Sequence, residues 1–131
     1  MYLEKLRINE DGFQAVFGNG APLNPTGWGF QINYATSNTD DWFHLAFTGD
    51  GTKGKFYVNG VVVGEKLLSL RSATVTTSTS PPRIGVRGTG NFYGGQIPTI
   101  LLYDRGLTAA EVKQNYGAGK GRFSNVSIAP Q

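Results

Sequence analysis

The stretch Trp42–Val63 constrains the fold most strongly, because it holds three strand patterns joined by two turn signals. The first strand pattern presents one apolar face, formed by Phe43, Leu45 and Phe47. Residues 49–54 are rich in glycine, which is typical of a turn. Asn59-Gly60 favours a type I′ turn, since that turn needs positive φ at both central positions. These signals predict a three-stranded antiparallel meander.

Length and composition favour a single all-β domain over residues 1–131. The chain has 131 residues, which is the size of one domain, and no cysteine, so disulfides and thiolate metal sites are excluded. It contains 19 glycines and 12% aromatic residues, a composition that favours tight turns over long helices. Residues 1–7 do not resemble a signal peptide, and no apolar run is long enough to predict membrane insertion.

The charge of the chain is modest and unevenly spread. The formal net charge is +3, with a balance of −2 up to Leu70 and +5 from Arg71 onward. A basic half could face an acidic partner, but a solvated surface is the preferred interpretation. No dense lysine and arginine cluster is interleaved with aromatic residues, so a nucleic-acid partner is not expected.

Further strand patterns lie on both sides of the meander. Residues 2–8 fit either an edge strand or a helical turn. Strands are predicted over 13–17, 28–34, 83–87, 97–103 and 123–128, and a loop over 88–95. Pro98 cannot donate to a ladder, so it predicts an edge or a bulge. We expect the last strand to pair near the first and close the domain.

One short helix is predicted over about 107–116. Thr108 and Glu111 have the spacing of a capping box. Leu107 and Val112 are spaced as a hydrophobic staple, and Gly117 is expected to end the helix in the left-handed region.

No catalytic residue is predicted. A retaining glycosidase needs two carboxylates about 5 Å apart, and no glutamate of this chain has another acid at i+2 or i+4 on an apolar strand. Asp40 and Asp41 are adjacent, so on a strand they would point to opposite faces. His44 is the only histidine, which leaves a catalytic triad or a zinc site without enough members.

Two kinds of binding site can be suggested. Loop oxygens of Asp40, Asp41 and Asn91 are candidate calcium ligands, although their number falls short of six and a turn-capping role is preferred. Aromatic side chains in or beside loops could stack on sugars or anchor a protein interface. The ligand-binding candidates are Trp28, Tyr34, Asn91, Phe92 and Tyr93. Core packing is preferred for Trp28 and exposure for Tyr93.

Several landmarks in order carry a family resemblance. They are Trp42-Phe43-His44-Leu45-Ala46, Phe56-Tyr57-Val58-Asn59-Gly60, Arg83-Ile84-Gly85, Phe92-Tyr93-Gly94-Gly95-Gln96-Ile97 and Leu102-Tyr103-Asp104-Arg105-Gly106-Leu107-Thr108. Over about residues 28–123 the chain resembles a laminin G-like, concanavalin A-like jelly-roll domain. The resemblance implies an antiparallel two-sheet sandwich whose relatives bind glycans, proteins or calcium, and it extends to short modules in tailed-phage virion proteins.

The chain departs from the family pattern at two places. Pro98 stands where many relatives carry an acidic residue, and the N-terminal part looks short by one or two strands. The domain is therefore expected to be a compact variant, or to have its sheet completed by a neighbouring subunit.

The function predicted first is a non-catalytic structural, decoration or adhesion protein that docks on protein partners. It would self-associate as a homo-oligomer on a virion surface, or be extracellular if secreted as part of a larger protein. The alternative is a lectin-like carbohydrate-binding module, with calcium as an optional cofactor and no other cofactor expected. A glycosidase is the third and remotest alternative.

Overall fold

A computed structural model describes residues 2–9, 12–18, 30–36, 41–50, 52–67, 83–87 and 89–122. Over these ranges the chain forms eight strands and one helix. They are β1 (Tyr2–Asn9), β2 (Gly12–Gly18), β3 (Phe30–Ala35), β4 (Leu45–Gly49), β5 (Lys53–Val58), β6 (Val61–Leu67), β7 (Val86–Arg87), β8 (Asn91–Phe92) and α1 (Ala109–Lys120). All paired strands are antiparallel, which confirms the predicted fold class.

The first sheet has the strand order β1-β2-β3. Residues 2–8, which fitted either a strand or a helical turn, lie in strand β1, and the predicted strand over 13–17 is confirmed as β2. Gly12 begins β2 with φ of 135°, and a Cβ there would collide with the carbonyl oxygen of Tyr34. Only glycine allows this close approach of β2 and β3.

The second sheet is the predicted meander, with the order β4-β5-β6. Asn59 and Gly60 have φ of 51° and 78°, as the type I′ turn requires. The preceding turn is closed by Asp50, whose Oδ1 accepts hydrogen bonds from the backbone N–H groups of Thr52 at 2.8 Å and Lys53 at 2.7 Å. Strand β4 begins at Leu45, three residues later than predicted.

The two sheets pack face to face around one apolar cluster. Its buried members are Phe13, Ala15 and Ile32 from the first sheet and Phe56 and Val58 from the second. The predicted apolar face of the first meander strand, Phe43, Leu45 and Phe47, packs against this cluster, as does Tyr34. Gly64 lies opposite Phe56 in the ladder, and a Cβ on Gly64 would collide with Ile32. Gly64 therefore leaves the space that lets the two sheets approach.

Helix α1 begins as predicted but ends later. Thr108 Oγ1 accepts a hydrogen bond from the Glu111 N–H at 3.2 Å, and Glu111 Oε2 accepts one from the Thr108 N–H at 2.8 Å, which confirms the capping box. The predicted stop at Gly117 is wrong, because the helix continues to Lys120. A helical glycine costs only about 1 kcal/mol, and Val112, fully buried where α1 packs on the second sheet, helps to offset that cost.

Two predictions for the segment before the helix are wrong. Residues 91–92 form strand β8 inside the predicted loop, and residues 97–103 form no strand. None of the described strands pairs with 97–103, and Pro98 lacks the N–H that a regular ladder requires. Residues 83–85 precede the short strand β7. The predicted strand 123–128 and residues 28–29 lie outside the described residues.

Candidate functional site

The hairpin of β7 and β8 displays the aromatic candidates. Val86 pairs with Phe92 and Arg87 pairs with Asn91. The hairpin is extended by a hydrogen bond of 2.8 Å from the Tyr93 N–H to the Gly85 carbonyl. Because the hairpin has only two residues in each strand, it buries little apolar surface of its own.

Exposure of the aromatic side chains is the main feature of this hairpin. Phe92 is 76% exposed, Asn91 is also exposed, and Tyr93 is 41% exposed. A Cβ on Gly95 would collide with the Tyr93 ring, so the glycine lets that ring lie close over the backbone. Three of the predicted ligand-binding residues, Asn91, Phe92 and Tyr93, are thus adjacent and open to a ligand.

The exposed apolar surface continues beyond the hairpin. We define the apolar segment as residues 92–103. Its large exposed side chains are Phe92, Tyr93, Ile97, Ile100, Leu101, Leu102 and Tyr103. Leu102 is 91% exposed, the highest value among them. Residues 88–103 contain no charged residue, so this surface offers apolar contact and backbone hydrogen bonding but no ion pairing.

Contacts with both sheet and helix hold the C-terminal end of the apolar segment. The Tyr103 hydroxyl accepts a hydrogen bond of 2.9 Å from Asn115 Nδ2 on α1. Three residues later, a Cβ on Gly106 would lie 2.7 Å from the Gly49 carbonyl oxygen at the end of β4. The C-terminal end of the segment is therefore fixed to the fold, although the large side chains of the segment are exposed.

An ion pair fixes the turn between the apolar segment and α1. Arg105 donates two hydrogen bonds to the Glu111 carboxylate, at 2.9 Å and 2.6 Å. These bonds, together with the one from the Thr108 N–H, lower the pKa of Glu111 to about 2. Arg105 and Glu111 are thus committed to each other and to the helix cap, which makes them structural residues of this turn.

The remaining predicted ligand-binding residues lie elsewhere. Tyr34 is half-buried, and its ring stacks on Phe13 with centroids 6.2 Å apart, which is core packing. Its ligand-binding role stays a prediction. Trp28 lies outside the described residues. Sequence reasoning missed the exposure of Ile100, Leu101 and Leu102, because a continuous apolar run is typical of a buried strand.

The candidate calcium ligands are only partly described. Asp41 and Asn91 are both exposed, and Asp40 lies outside the described residues. Among the residues that the structure describes, no three side chains of histidine, cysteine, aspartate or glutamate form a group that could hold a metal ion. Calcium binding through Asp40, Asp41 and Asn91 stays a prediction.

His44 lies just before β4, and its ring contacts helix α1. Its ring centroid is 5.9 Å from that of Tyr116, and burial lowers the pKa of the imidazole. Its Nδ1 atom is buried and has no hydrogen-bond partner among the described residues. The backbone N–H of His44 donates to Asn59 Oδ1 at 2.9 Å, which ties the residue to the type I′ turn.

Comparison with known proteins now identifies the fold family. The profile of a family described as the concanavalin A-like lectin/glucanases superfamily matches residues 6–113. The chain belongs to this superfamily. The match covers most of this concanavalin A-like domain, including both sheets, the apolar segment and the start of α1.

One solved structure is also similar to this concanavalin A-like domain. It is a fragment, residues 221–444, of an S-layer domain-containing protein from Clostridium thermocellum, with 27% sequence identity and a TM-score of 0.51. The alignment covers 79% of this chain and 51% of the fragment, so the chain spans about half the length of that relative. No curated protein matches the chain. The expected similarity to tailed-phage virion modules is not shown by these comparisons.

No helix in the ranges that the structure describes is both long and apolar enough to cross a membrane.

Proposed function

We propose that this domain is a non-catalytic surface module that docks on a protein partner through the apolar segment. The observation that carries the proposal is the exposure of seven large apolar residues between 92 and 103. Taking roughly 200 Å² for each large side chain, they expose on the order of 800 Å². The largest apolar patch of a typical monomer is about 300–600 Å², so such a surface favours an interaction site.

The cellular setting of this function is a cell surface or the extracellular space. The similar Clostridium thermocellum protein is an S-layer domain-containing protein, which supports a surface role for this chain as well. The described residues contain no group of three or more histidine, cysteine, aspartate or glutamate side chains that could hold a metal ion. A more specific alternative is that the module lies on the surface of a virion.

Photo-crosslinking at one residue would test the docking role. Benzoylphenylalanine is placed at Leu102, the most exposed residue of the apolar segment, and the purified chain is incubated with the surface fraction of its source cells and irradiated. We expect a covalent adduct between the chain and a protein, and none when the probe replaces Lys113, an exposed residue of α1. Absence of a protein adduct at Leu102, or equal labelling at both positions, would contradict the proposal.

Carbohydrate binding is the second candidate, favoured by the adjacent exposed side chains of Asn91, Phe92 and Tyr93. An aromatic face can stack on a sugar ring while an amide donates to its hydroxyls. A glycan array probed with and without a calcium chelator tests this candidate. Binding lost in Phe92→Ala but kept in Ile84→Ala, an exposed control residue before β7, would establish it. Binding by neither wild type nor variants would exclude the glycans on the array.

A further inference from the structure

We infer that the contact between His44 and Tyr116 is a pH-sensitive switch. While the imidazole is neutral, the contact holds the second half of helix α1, residues 115–120, on the second sheet. When the imidazole takes up a proton, the contact opens and this half of the helix is released. The inference goes beyond the proposed function, because it concerns how the fold itself responds to acid.

The Tyr116 ring contacts the second sheet at two places. Its centroid is 5.9 Å from that of the His44 ring, just before β4. The same ring lies over the type I′ turn, where a Cβ on Gly60 would come 3.0 Å from Tyr116 Cδ1. A change in the position of the imidazole therefore acts directly on the packing of Tyr116.

The surroundings of the His44 ring do not accommodate a second proton. The backbone of His44 is fixed to Asn59, which donates its N–H to the His44 carbonyl at 2.8 Å and accepts from the His44 N–H at 2.9 Å. Nδ1 is buried and has no hydrogen-bond partner among the residues that the structure describes. An imidazolium carries a proton on both ring nitrogens, so it would bury an unpaired N–H, which is unfavourable. The charged ring relieves this by turning toward water, which breaks its contact with Tyr116.

The titratable groups near this ring do not offset its positive charge. Helix α1 contributes Tyr116 and the Lys120 ammonium, which lies 5.8 Å from the centroid of the Tyr116 ring. Strand β5 contributes the buried Tyr57, which alternation places on the face of the sheet opposite the core. The type I′ turn and the first residues of β6 are uncharged. The nearest described carboxylate along the chain is Asp41, three residues before His44 and exposed.

The direction of the pH response follows from the two states of His44. Burial lowers the pKa of the imidazole in the closed contact, and contact with the backbone of the same residue offsets this only in part. In the open contact the ring is exposed to water, where the ordinary pKa of histidine is about 6.5. The contact is therefore closed at neutral pH and opens as the pH falls below 6.5.

The two halves of α1 are held unequally, which favours local opening. The first half begins with the capping box and buries Val112 completely. The second half contains Gly117 and Gly119, and a glycine inside a helix costs about 1 kcal/mol relative to alanine. Asn115 and Tyr116 supply tertiary contacts of this half. Loss of the Tyr116 contact can therefore release the second half while the first half stays packed.

The release also reaches the apolar segment. Asn115, next to Tyr116, donates the hydrogen bond of 2.9 Å to the Tyr103 hydroxyl that helps to fix the C-terminal end of that segment. When the second half of α1 opens, this bond is lost, and acid loosens the docking surface at that end. This consequence rests on the proposed docking function, whereas the switch itself does not.

Amide hydrogen exchange of the full chain at pH 7.5 and pH 5, corrected for the intrinsic exchange rate at each pH, tests the switch. At pH 5 we expect residues 116–120 to lose protection and to exchange faster than residues 112–114 and β5. His44→Phe is the matched control, because it keeps an aromatic ring against Tyr116 but takes up no proton. Its residues 116–120 should be equally protected at both pH values. Unchanged protection of residues 116–120 in the wild type, or the same loss in His44→Phe, would overturn the switch.

An NMR titration gives a second test that needs no variant. His44 is the sole histidine of the chain, so its imidazole signals are identified without ambiguity. We expect them to titrate with a midpoint below 6.5 and the Tyr116 ring signals to shift with the same midpoint. Tyr116 signals that stay unchanged while His44 titrates would contradict the inference.

Photo-crosslinking at Leu102 separates this inference from the proposed function. A protein adduct at pH 7.5, together with unchanged protection of residues 116–120 at pH 5, would keep the docking role and overturn the switch. Loss of protection at pH 5 without a protein adduct at either pH would keep the switch and overturn the docking role.

Discussion

The sandwich core and the apolar segment differ in one respect that decides whether their side chains are buried. Both contain runs of large apolar residues. In the core, Phe56 and Val58 lie on a strand that has a hydrogen-bonded neighbour on each side, and they are buried. In the apolar segment, Leu101 and Leu102 have no ladder partner among the described strands and are exposed. Apolar character alone therefore does not place a residue in this core.

Local turns account for much of this difference. The turns at Asp50 and at Asn59-Gly60 fix the pairing and register of β4, β5 and β6 over short sequence separations. Pairing of residues 97–103 would need a strand distant in sequence or in another chain, and the loop-closure entropy of such contacts is larger. The segment is then available for intermolecular contact.

The largest expected effect comes from truncating the core. Phe56→Ala should lower the free energy of unfolding by about 3–5 kcal/mol, because it leaves a cavity between the sheets. Leu102→Ala, its counterpart in the apolar segment, should change the stability of the monomer by no more than about 0.5 kcal/mol. Denaturant titration at low protein concentration measures both values. Similar losses for the two variants would remove the distinction between the regions.

Filling the gap between the sheets should have the next largest effect. Gly64→Ala is expected to cost about 1–3 kcal/mol through overpacking against Ile32. Adding Ile32→Ala removes the Cγ2 methyl group that the new Cβ would meet, so the double variant should be more stable than the sum of the single changes predicts. Strict additivity of the two changes in denaturant titration would mean that the sheets do not meet at this contact.

The type I′ turn offers a smaller effect on the same core. Asn59→Ala should cost about 1–2 kcal/mol, because alanine is disfavoured at positive φ, and the hydrogen bond to the His44 N–H is lost. Asn59→Gly keeps the backbone conformation and loses only the side-chain bond, so it should cost less. Thermal unfolding of the three proteins measures the order, and a glycine variant less stable than the alanine variant would refute this account of the turn.

The smallest expected effect is a pH dependence at His44. The folded protein holds the imidazole with a lowered pKa, so the unfolded chain binds the proton more readily. Stability should fall as pH drops below 6.5 and level off below the folded pKa. We expect His44→Gln to reduce the difference in melting temperature between pH 7.5 and pH 5. An unchanged difference in the variant would show that other groups cause the pH dependence.

The sequence predicted those elements whose signals are local. The meander, its Asn59-Gly60 turn and the Thr108–Glu111 capping box all follow from residues within a few positions of each other. The face of β3 that carries Ile32 and Tyr34 also follows from alternation. These predictions needed no knowledge of distant parts of the chain.

The predictions that failed depend on contacts distant in sequence. The apolar run at 97–103 predicts a strand, but strand formation requires a partner that periodicity does not reveal. The helix does not stop at Gly117 as predicted but continues to Lys120. The buried side chain of Val112 anchors an earlier turn of this helix. The site was predicted at Asn91, Phe92 and Tyr93, but its extension along Ile97–Tyr103 was missed, since exposure is a tertiary property.

Amide hydrogen exchange tests the central claim most directly, because it compares both regions in one sample. We predict strong protection for the amides of β5 and fast exchange for those of residues 99–103. Protection of residues 99–103 as strong as that of β5 would contradict the claim and place the apolar segment within the sandwich.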